Sequence, residues 1–340
     1  SLDPFFVSVS FPGKPIYFMA SDDLLRIKYA SFWIRHCAAP IPKKKDVADL
    51  QAALTCIKIA KEGGNVCIFP EGNRTYSGKL AHLEPGVAKL AKSMGLPILL
   101  YRLQNGYGVD PRWGKKIRRG KTRGEVVEVV PAEKVAEMDE NALTSLIESK
   151  ISAPLDHSKK YRSKTRAEFL ERVLYVCPKC HKLQTLSTDK DRISCTCGLS
   201  ATYNEDMTFS SEDPAFGFVE VSDWYQWQKE FIRDYPIEKK NVLLSDDMVE
   251  VLYSKQDGVK ERIALGTLKM DRFGFTVSTL SDDIRYSFSD LRGVGITGKN
   301  KVVCYTKKGD SITFRGRERF NAYKYMQMYA RISGKLDESL

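Results

Sequence analysis

The chain has 340 residues, 42% of them hydrophobic, and a formal net charge of +11. That length points to two or three domains with real cores, and no apolar run reaches the roughly 18 residues expected of a membrane-spanning helix. The positive balance favours anionic partners: lipid headgroups, coenzyme phosphates or nucleic acid.

In chain order, Pro15 to Ala20 reads as a strand, and Leu24 to Cys37 has helical spacing. Asp46 to Lys61, with Val47, Leu50, Leu54, Ile57 and Ile59, reads as a helix stopped by Gly63-Gly64. Val66 to Phe69 is a predicted strand and Pro85 to Met94 a helix. Ile98 to Leu103 and Gly124 to Val130 are predicted strands, and Asp139 to Ile151 a helix with Asp139 as its cap. Strands separated by helices imply an α/β domain with a mostly parallel sheet.

Between the last two strands lies an acid-free basic stretch: Arg112, Lys115, Lys116, Arg118, Arg119, Lys121 and Arg123, with Trp113 among them. Basic residues contribute roughly 1 kcal/mol each at an anionic membrane surface, and an aromatic ring sits well at headgroup level. The stretch is therefore expected to face a membrane or an acyl donor, ahead of a plain solvated loop and of nucleic acid.

A charged stretch, His157 to Arg166, leads to Cys177-Pro178-Lys179-Cys180 and then Cys195-Thr196-Cys197-Gly198. Each pair puts two sulfurs on one tight turn, and four thiolates complete a tetrahedral shell, so the four cysteines read as a structural zinc ribbon. A pair of disulfides is the competing reading; His181, next to Cys180, is expected at the surface, with replacement of one ligand as its other role. Cys37, Cys56, Cys67 and Cys304 sit in apolar context and are expected to pack as small hydrophobes. Trp224 to Ile232 is a predicted helix with Trp224, Trp227 and Phe231 along one side. Seven short runs follow: 241–244, 248–253, 261–268, 274–279, 284–288, 301–305 and 311–314, then a helix over 318–332. Seven strands and a closing helix resemble the pleckstrin-homology superfold in element order, which implies either a lipid- or protein-binding module or a stabilising, oligomerising one.

The stretch richest in chemistry is Phe69-Pro70-Glu71-Gly72-Asn73-Arg74-Thr75, directly after the apolar run Val66-Cys67-Ile68. Ligands of open α/β sheets bind at loops past the carboxyl ends of strands. Arg74 offers a planar charged fork suited to phosphate, Gly72 permits close backbone approach, and Glu71 can pin the arginine or bind a hydroxyl. This block resembles the F-P-E-G-T-R-S block of the glycerolipid acyltransferase family, the 1-acylglycerol-3-phosphate acyltransferases, with Asn73 and Thr75 replacing Thr and Ser. Ser1-Leu2-Asp3-Pro4 is similar to the tail of the family's H-x-x-x-x-D block. Ala39 to Lys43 is similar to its I-P-I-D-R block, with Lys43 in the Arg position and Lys44 or Lys45 as alternative contacts. Gly95 to Leu100 resembles its G-V-P-I-V-P strand.

The resemblance implies that Asp3 orients a catalytic histidine, which takes a proton from a glycerol hydroxyl so that the oxygen attacks an acyl thioester. That histidine would stand five residues ahead of Asp3, before Ser1. With no initiator Met, the chain is read as cut at its N-terminus and, on its own, inactive in acyl transfer. Of His36, His82, His157 and His181, His82 lies in the segment after the phosphate loop, and it reads as a surface or helix-entry residue rather than a replacement base.

The expected organisation is an acyltransferase domain at 1–155, a zinc ribbon at 170–206, and a helix plus pleckstrin-homology-like β domain at 216–335. The expected activity is transfer of a fatty acyl group from acyl-CoA or acyl carrier protein to 1-acylglycerol 3-phosphate. Asp3 is the catalytic residue, Glu71, Gly72, Arg74 and Lys43 bind substrate, and Cys177, Cys180, Cys195 and Cys197 hold structural Zn2+. The expected partners are a lysophospholipid acceptor, the acyl thioester and an anionic membrane surface, with nucleic acid disfavoured, and the expected place is the cytoplasmic membrane face. The alternative is a catalytically silent lipid- or nucleic-acid-binding protein on an acyltransferase core.

Overall fold

The computed structural model describes residues 3–21, 40–43, 49–72, 74–80, 83, 86–239, 241–255 and 260–336. The predicted helix Leu24 to Cys37, and with it His36, lies outside the described residues, as do Lys44, Lys45, Asn73 and His82. The chain forms two compact units. The first comprises Ser1–Thr75, Lys79–Tyr107 and Lys121–Asp156; the second comprises Tyr76–Gly78, Gly108–Gly120 and His157–Leu340.

The first unit opens with helix α1 (Asp3–Ser10), followed by strands β1 (Ile16–Ser21) and β2 (Ile41–Lys43). Helix α2 (Leu50–Lys61) precedes β3 (Asn65–Cys67). β2 and β3 flank β1, both parallel to it, with Met19 opposite Ile41 and Phe18 opposite Cys67. α2 starts later than Asp46 because Asp49 caps it, its carboxylate accepting from the Ala52 N–H at 3.1 Å. Its Ala52, Cys56 and Ala60, spaced four apart, are buried. Gly64 ends the turn after α2 where a Cβ would stand 2.6 Å from Ile59 Cγ2, so only glycine fits.

The remainder of this unit comprises α3 (Val87–Met94), β4 (Ile98–Gln104), β5 (Arg123–Val130), α4 (Ala132–Glu137) and α5 (Glu140–Ile151). Asp139 caps α5 as expected, accepting from Ala142 N–H at 2.8 Å. Leu100 and Val130, from adjacent strands, pack with Ala88, Ala91, Val135, Leu143 and Ile147 in one core. The expectation of one mostly parallel sheet is corrected here. Among the described residues β4 pairs only with β5, antiparallel, and the parallel part is the β2-β1-β3 trio. Alternation of strands and helices along the chain does not fix which strands hydrogen-bond.

The second unit contains a four-stranded antiparallel sheet, β6 (Leu186–Asp189), β7 (Arg192–Cys195), β8 (Ser200–Tyr203) and β9 (Phe209–Ser210), in chain order. Helix α6 (Val221–Arg233) follows, with Glu220 and Asp223 closing a reciprocal cap at its start. Its Trp224 is fully buried and donates its indole N–H to the Val176 carbonyl at 3.0 Å. Beyond it lie β10 (Leu244–Ser254), β11 (Lys260–Met270), β12 (Gly274–Ser278), β13 (Asp283–Ser287), β14 (Leu291–Ile296), β15 (Lys301–Thr306), β16 (Ser311–Arg315) and helix α7 (Ala322–Ile332). These strands form one antiparallel sheet of seven among the described residues, in the order β13-β12-β11-β10-β16-β15-β14.

The count of seven agrees with the sequence expectation, but two strands differ. The run 241–244 meets a strand only at its last residue, Leu244, where β10 begins; β10 takes in 248–253, and its pairing with β11 shifts register between Asp246 and Val249, where Met248 takes φ 57°. β14, with the sequence Leu-Arg-Gly-Val-Gly-Ile, has no predicted counterpart.

In the basic stretch after β4 the correction concerns Trp113, Arg112 and Arg118. Trp113, expected at a headgroup level, is 1% exposed, and its ring meets Tyr203 edge-on at 5.8 Å. Arg118 is 5% exposed, lies 4.7 Å over the Trp113 ring and donates to the Arg166 carbonyl at 2.5 Å. Arg112 is buried over Tyr76 at 4.0 Å, and Lys115 pairs with Glu318 at 2.6 Å. Three of the stretch's most prominent residues thus build the interior of the second unit. Cation–π contact with a buried ring satisfies a guanidinium that composition alone assigns to solvent.

Candidate functional site

Parallel pairing brings the C-terminal ends of β2, β1 and β3 to one edge of the sheet. Lys43 is the last residue of β2, and the loop from Phe69 to Arg74 follows β3, so both stand at that edge. The loop is anchored at its first residue, where the Phe69 ring stacks on Phe18 of β1, centroids 6.4 Å apart and planes at 11°. It then turns tightly: the Gly72 N–H donates to the Phe69 carbonyl at 3.1 Å with Gly72 at φ 65°, a conformation that favours glycine. Lys43, Glu71 and Arg74 are all half-buried, and Gly72 is exposed. Two cations and a carboxylate at a carboxyl edge are side-chain types suited to a phosphate-bearing ligand.

Asp3 stands on a separate element, as the first residue of α1, where the helix dipole favours a carboxylate. The far end of α1 is tied to β4: Ser10 Oγ lies 2.6 Å from the Tyr101 hydroxyl, and the Phe11 and Tyr101 rings meet edge-on at 5.7 Å. Of the four histidines, His157 and His181 are described, and both belong to the second unit. Burial pushes the thiols of Cys56, Cys67 and Cys304 up, Cys67 to about 12, as fits cysteines that serve as packing.

In the second unit, the Sγ atoms of Cys177, Cys180, Cys195 and Cys197 all lie within 4.8 Å of one another, with Cys177 to Cys197 at 3.6 Å and Cys180 to Cys195 at 3.7 Å. The four could bind a metal ion. Two turns bring them together. In the first, the His181 N–H donates to the Cys177 carbonyl at 2.9 Å and the Cys177 N–H to the Lys182 carbonyl at 3.1 Å. In the second, between β7 and β8, the Gly198 N–H donates to the Cys195 carbonyl at 3.0 Å, with Gly198 at φ 94°. Burial opposes ionisation of Cys195. The Cys197 backbone N–H, the Thr185 hydroxyl 3.1 Å away and the neighbouring sulfurs outweigh it and bring the thiol down to about 6. The His181 ring packs near Trp227 and Phe231, centroids at 5.9 and 5.5 Å.

Sequence reasoning missed the residue that holds the first turn in place. Gln228 of α6 is fully buried; its side-chain oxygen accepts from the Tyr175 and Val176 N–H groups at 2.7 and 3.1 Å, and its amide donates to the Val173 carbonyl at 3.0 Å. The available signal was a polar residue four after Trp224 on the apolar side of the predicted helix, where a buried amide must find partners.

Three likenesses to known proteins accompany this geometry. Residues 1–100 match the Acyltransferase family model. Over 160 residues the chain is 25% identical to a 1-acyl-sn-glycerol-3-phosphate acyltransferase of Borreliella burgdorferi, a stretch covering 46% of this chain and 62% of that protein. The crystal structure of the 1-acyl-sn-glycerophosphate (LPA) acyltransferase PlsC from Thermotoga maritima aligns with a TM-score of 0.34 and 22% identity, over 40% of this chain and 53% of that one. The chain thus spans less than two thirds of the length of either relative. The likeness is thus a match of residues 1–100 to the Acyltransferase family model together with weak homology to a 1-acyl-sn-glycerol-3-phosphate acyltransferase.

Proposed function

We propose that the first unit transfers a fatty acyl group from an acyl thioester, acyl-CoA or acyl carrier protein, to the free hydroxyl of a 1-acylglycerol 3-phosphate-like acceptor. The observation that carries this reading is the shared sheet edge: Lys43 and the Glu71–Arg74 loop stand together at the carboxyl end of a parallel trio, within the span matched to the acyltransferase family. Arg74 and Lys43 take the phosphate, Glu71 fixes the guanidinium or a glycerol hydroxyl, and Gly72 lets the backbone approach. Asp3 orients a histidine that acts as the base. An aspartate with an ordinary pKa near about 4 is itself too weak a base for an alcohol. Modules at 1–155, 170–206 and 216–335 remain our division of labour.

The test is acyl transfer by Arg74→Ala and Glu71→Ala in protein with a histidine five residues ahead of Asp3. Each variant should lose turnover with a phosphate-bearing acceptor. If either keeps the parent rate, the assigned role of the loop is wrong.

For the four cysteines we infer structural Zn2+. A tetrahedron with Zn–S of about 2.3 Å has sulfur–sulfur edges of about 3.8 Å, close to the 3.6 and 3.7 Å separations of Cys177–Cys197 and Cys180–Cys195. Four thiolates leave no open position, so the ion would hold the two turns together and take no part in acyl transfer. The β10–β16 sheet closed by α7 is consistent in element order with a pleckstrin-homology-like module, and we assign it a binding or stabilising role.

A further inference from the structure

We propose that the second unit carries a docking face for anionic membranes, built from two segments at residues 115–120 and 159–164. The segments meet in an antiparallel bridge at Arg119 and Arg162, the Arg119 N–H donating to the Arg162 carbonyl at 3.1 Å and the Arg162 N–H to the Arg119 carbonyl at 2.9 Å.

The two sides of this pair differ completely. Inward, Tyr161 is 1% exposed and its ring covers Gly108 and Gly120; a Cβ on Gly108 would come within 2.7 Å of that ring. Arg118 also points inward, stacked on Trp113. Outward, Ile117 and Arg119 flank the inward Arg118, and Lys160 and Arg162 flank the inward Tyr161, as alternation beside a bridge requires; Lys116, Arg119, Lys160, Arg162 and Lys164 are exposed, and Ile117 stands 61% exposed. Among the described residues no carboxylate pairs with Lys116, Arg119, Lys160 or Lys164, and the carboxylate nearest Arg162, Glu205, is 3.9 Å away. Two arginines directly opposite one another repel, and a layer of anionic headgroups would recover that free energy.

Charge alone fits any polyanion; the apolar tip and the missing rings decide between them. Single-stranded nucleic acid is held by aromatic platforms that stack bases, and the only aromatic residue of either segment, Tyr161, faces inward. An exposed isoleucine ringed by cations suits a bilayer, where the apolar side chain enters below the headgroups while the cations stay at their level. The proposal stands apart from acyl transfer, because its test reads binding.

The test is flotation of the full chain with vesicles of phosphatidylcholine alone and of phosphatidylcholine containing phosphatidylserine, across a salt series. The chain should float only with the anionic vesicles, and less as salt rises. Combined Lys116→Gln, Arg119→Gln, Lys160→Gln and Lys164→Gln should lower partition by about fivefold per charge removed, the change that corresponds to about 1 kcal/mol. Separately, Ile117→Trp should give an added blue-shifted fluorescence with anionic vesicles and not with neutral ones. Parent-like flotation of the folded charge variant, or an indole that stays in water on the vesicle, overturns the proposal. So does charge-dependent binding of single-stranded DNA without vesicle binding. Should the combined variant fail to fold, the single Ile117→Trp variant still decides.

Discussion

Replacing Gln228 with alanine tests how the second unit holds its first cysteine turn. The side chain is fully buried and satisfies three backbone groups just before Cys177: two N–H donors, of Tyr175 and Val176, and the Val173 carbonyl. Alanine leaves all three buried without their partner, and each such group costs at least about 1 kcal/mol. The total is about 3 kcal/mol at the low end of the range, which assumes that water entering the vacated space relieves part of the loss. In a unit of this size the melting temperature should fall by about 6–12 °C. The assay is thermal denaturation of the full chain with Gln226→Ala as the control, since exposed Gln226 bonds only Glu230, at 3.0 Å. That control should stay within about 0.5 kcal/mol of the parent. A Gln228→Ala protein that melts with the parent would refute the reasoning, because it would mean these backbone groups find other partners at no cost.

Two further outcomes follow from the same unit. Protein purified with its metal should contain about one ion per chain, and Cys177→Ser or a strong chelator should release it and lower the melting temperature; replacement by Co2+ should give the strong near-ultraviolet absorption of thiolate coordination, and its absence would count against the four-sulfur shell. His157 is bonded on both ring nitrogens, to the Asp206 carbonyl at 2.8 Å and to a Glu220 carboxylate oxygen at 2.8 Å. The Asp206 carbonyl foremost, with the Glu220 carboxylate, raises its pKa against the burial that lowers it. Two acceptors require a proton on each nitrogen, so this contribution to stability is complete below the unfolded pKa of about 6.5 and is lost as pH climbs through the raised folded value. His157→Gln should therefore flatten the difference in stability between about pH 6 and pH 8; an unchanged difference would remove the imidazolium from the account.

What could be read from the sequence divides along physical lines. Local signals held up well: the Asp139 cap, the glycine stop after α2 and the cysteine spacings each rest on a few adjacent residues, and each has the expected geometry. Pairing did not follow from order. β4 and β5 form an antiparallel pair, although the helix-strand alternation suggested a single sheet. Strand counting succeeded by compensation: the run 241–244, which meets β10 only at Leu244, was counted as a strand of its own, while β14 was hidden by its two glycines, which weaken any strand pattern. The basic stretch misled for a different reason. Charge density is a sum along the chain, whereas exposure is set residue by residue by what each side chain packs against. Arg118 and Trp113 turn inward while Lys116, Ile117 and Arg119 stay out. Of the candidate site, the loop and Lys43 fall at one sheet edge, and Gln228, which acts through the backbone, carried no motif at all.

The most direct measurement compares acyl transfer to 1-acylglycerol 3-phosphate with transfer to the same monoacylglycerol lacking its phosphate, using Arg74→Ala protein in which a histidine stands five residues ahead of Asp3. A charge-assisted contact contributes about 1.5–3 kcal/mol, so kcat/KM for the phosphate-bearing acceptor should fall by about 10–160-fold, while the rate with the uncharged acceptor stays at the parent value. An equal fall for both acceptors, or no fall for either, would contradict the claim that this loop grips the phosphate.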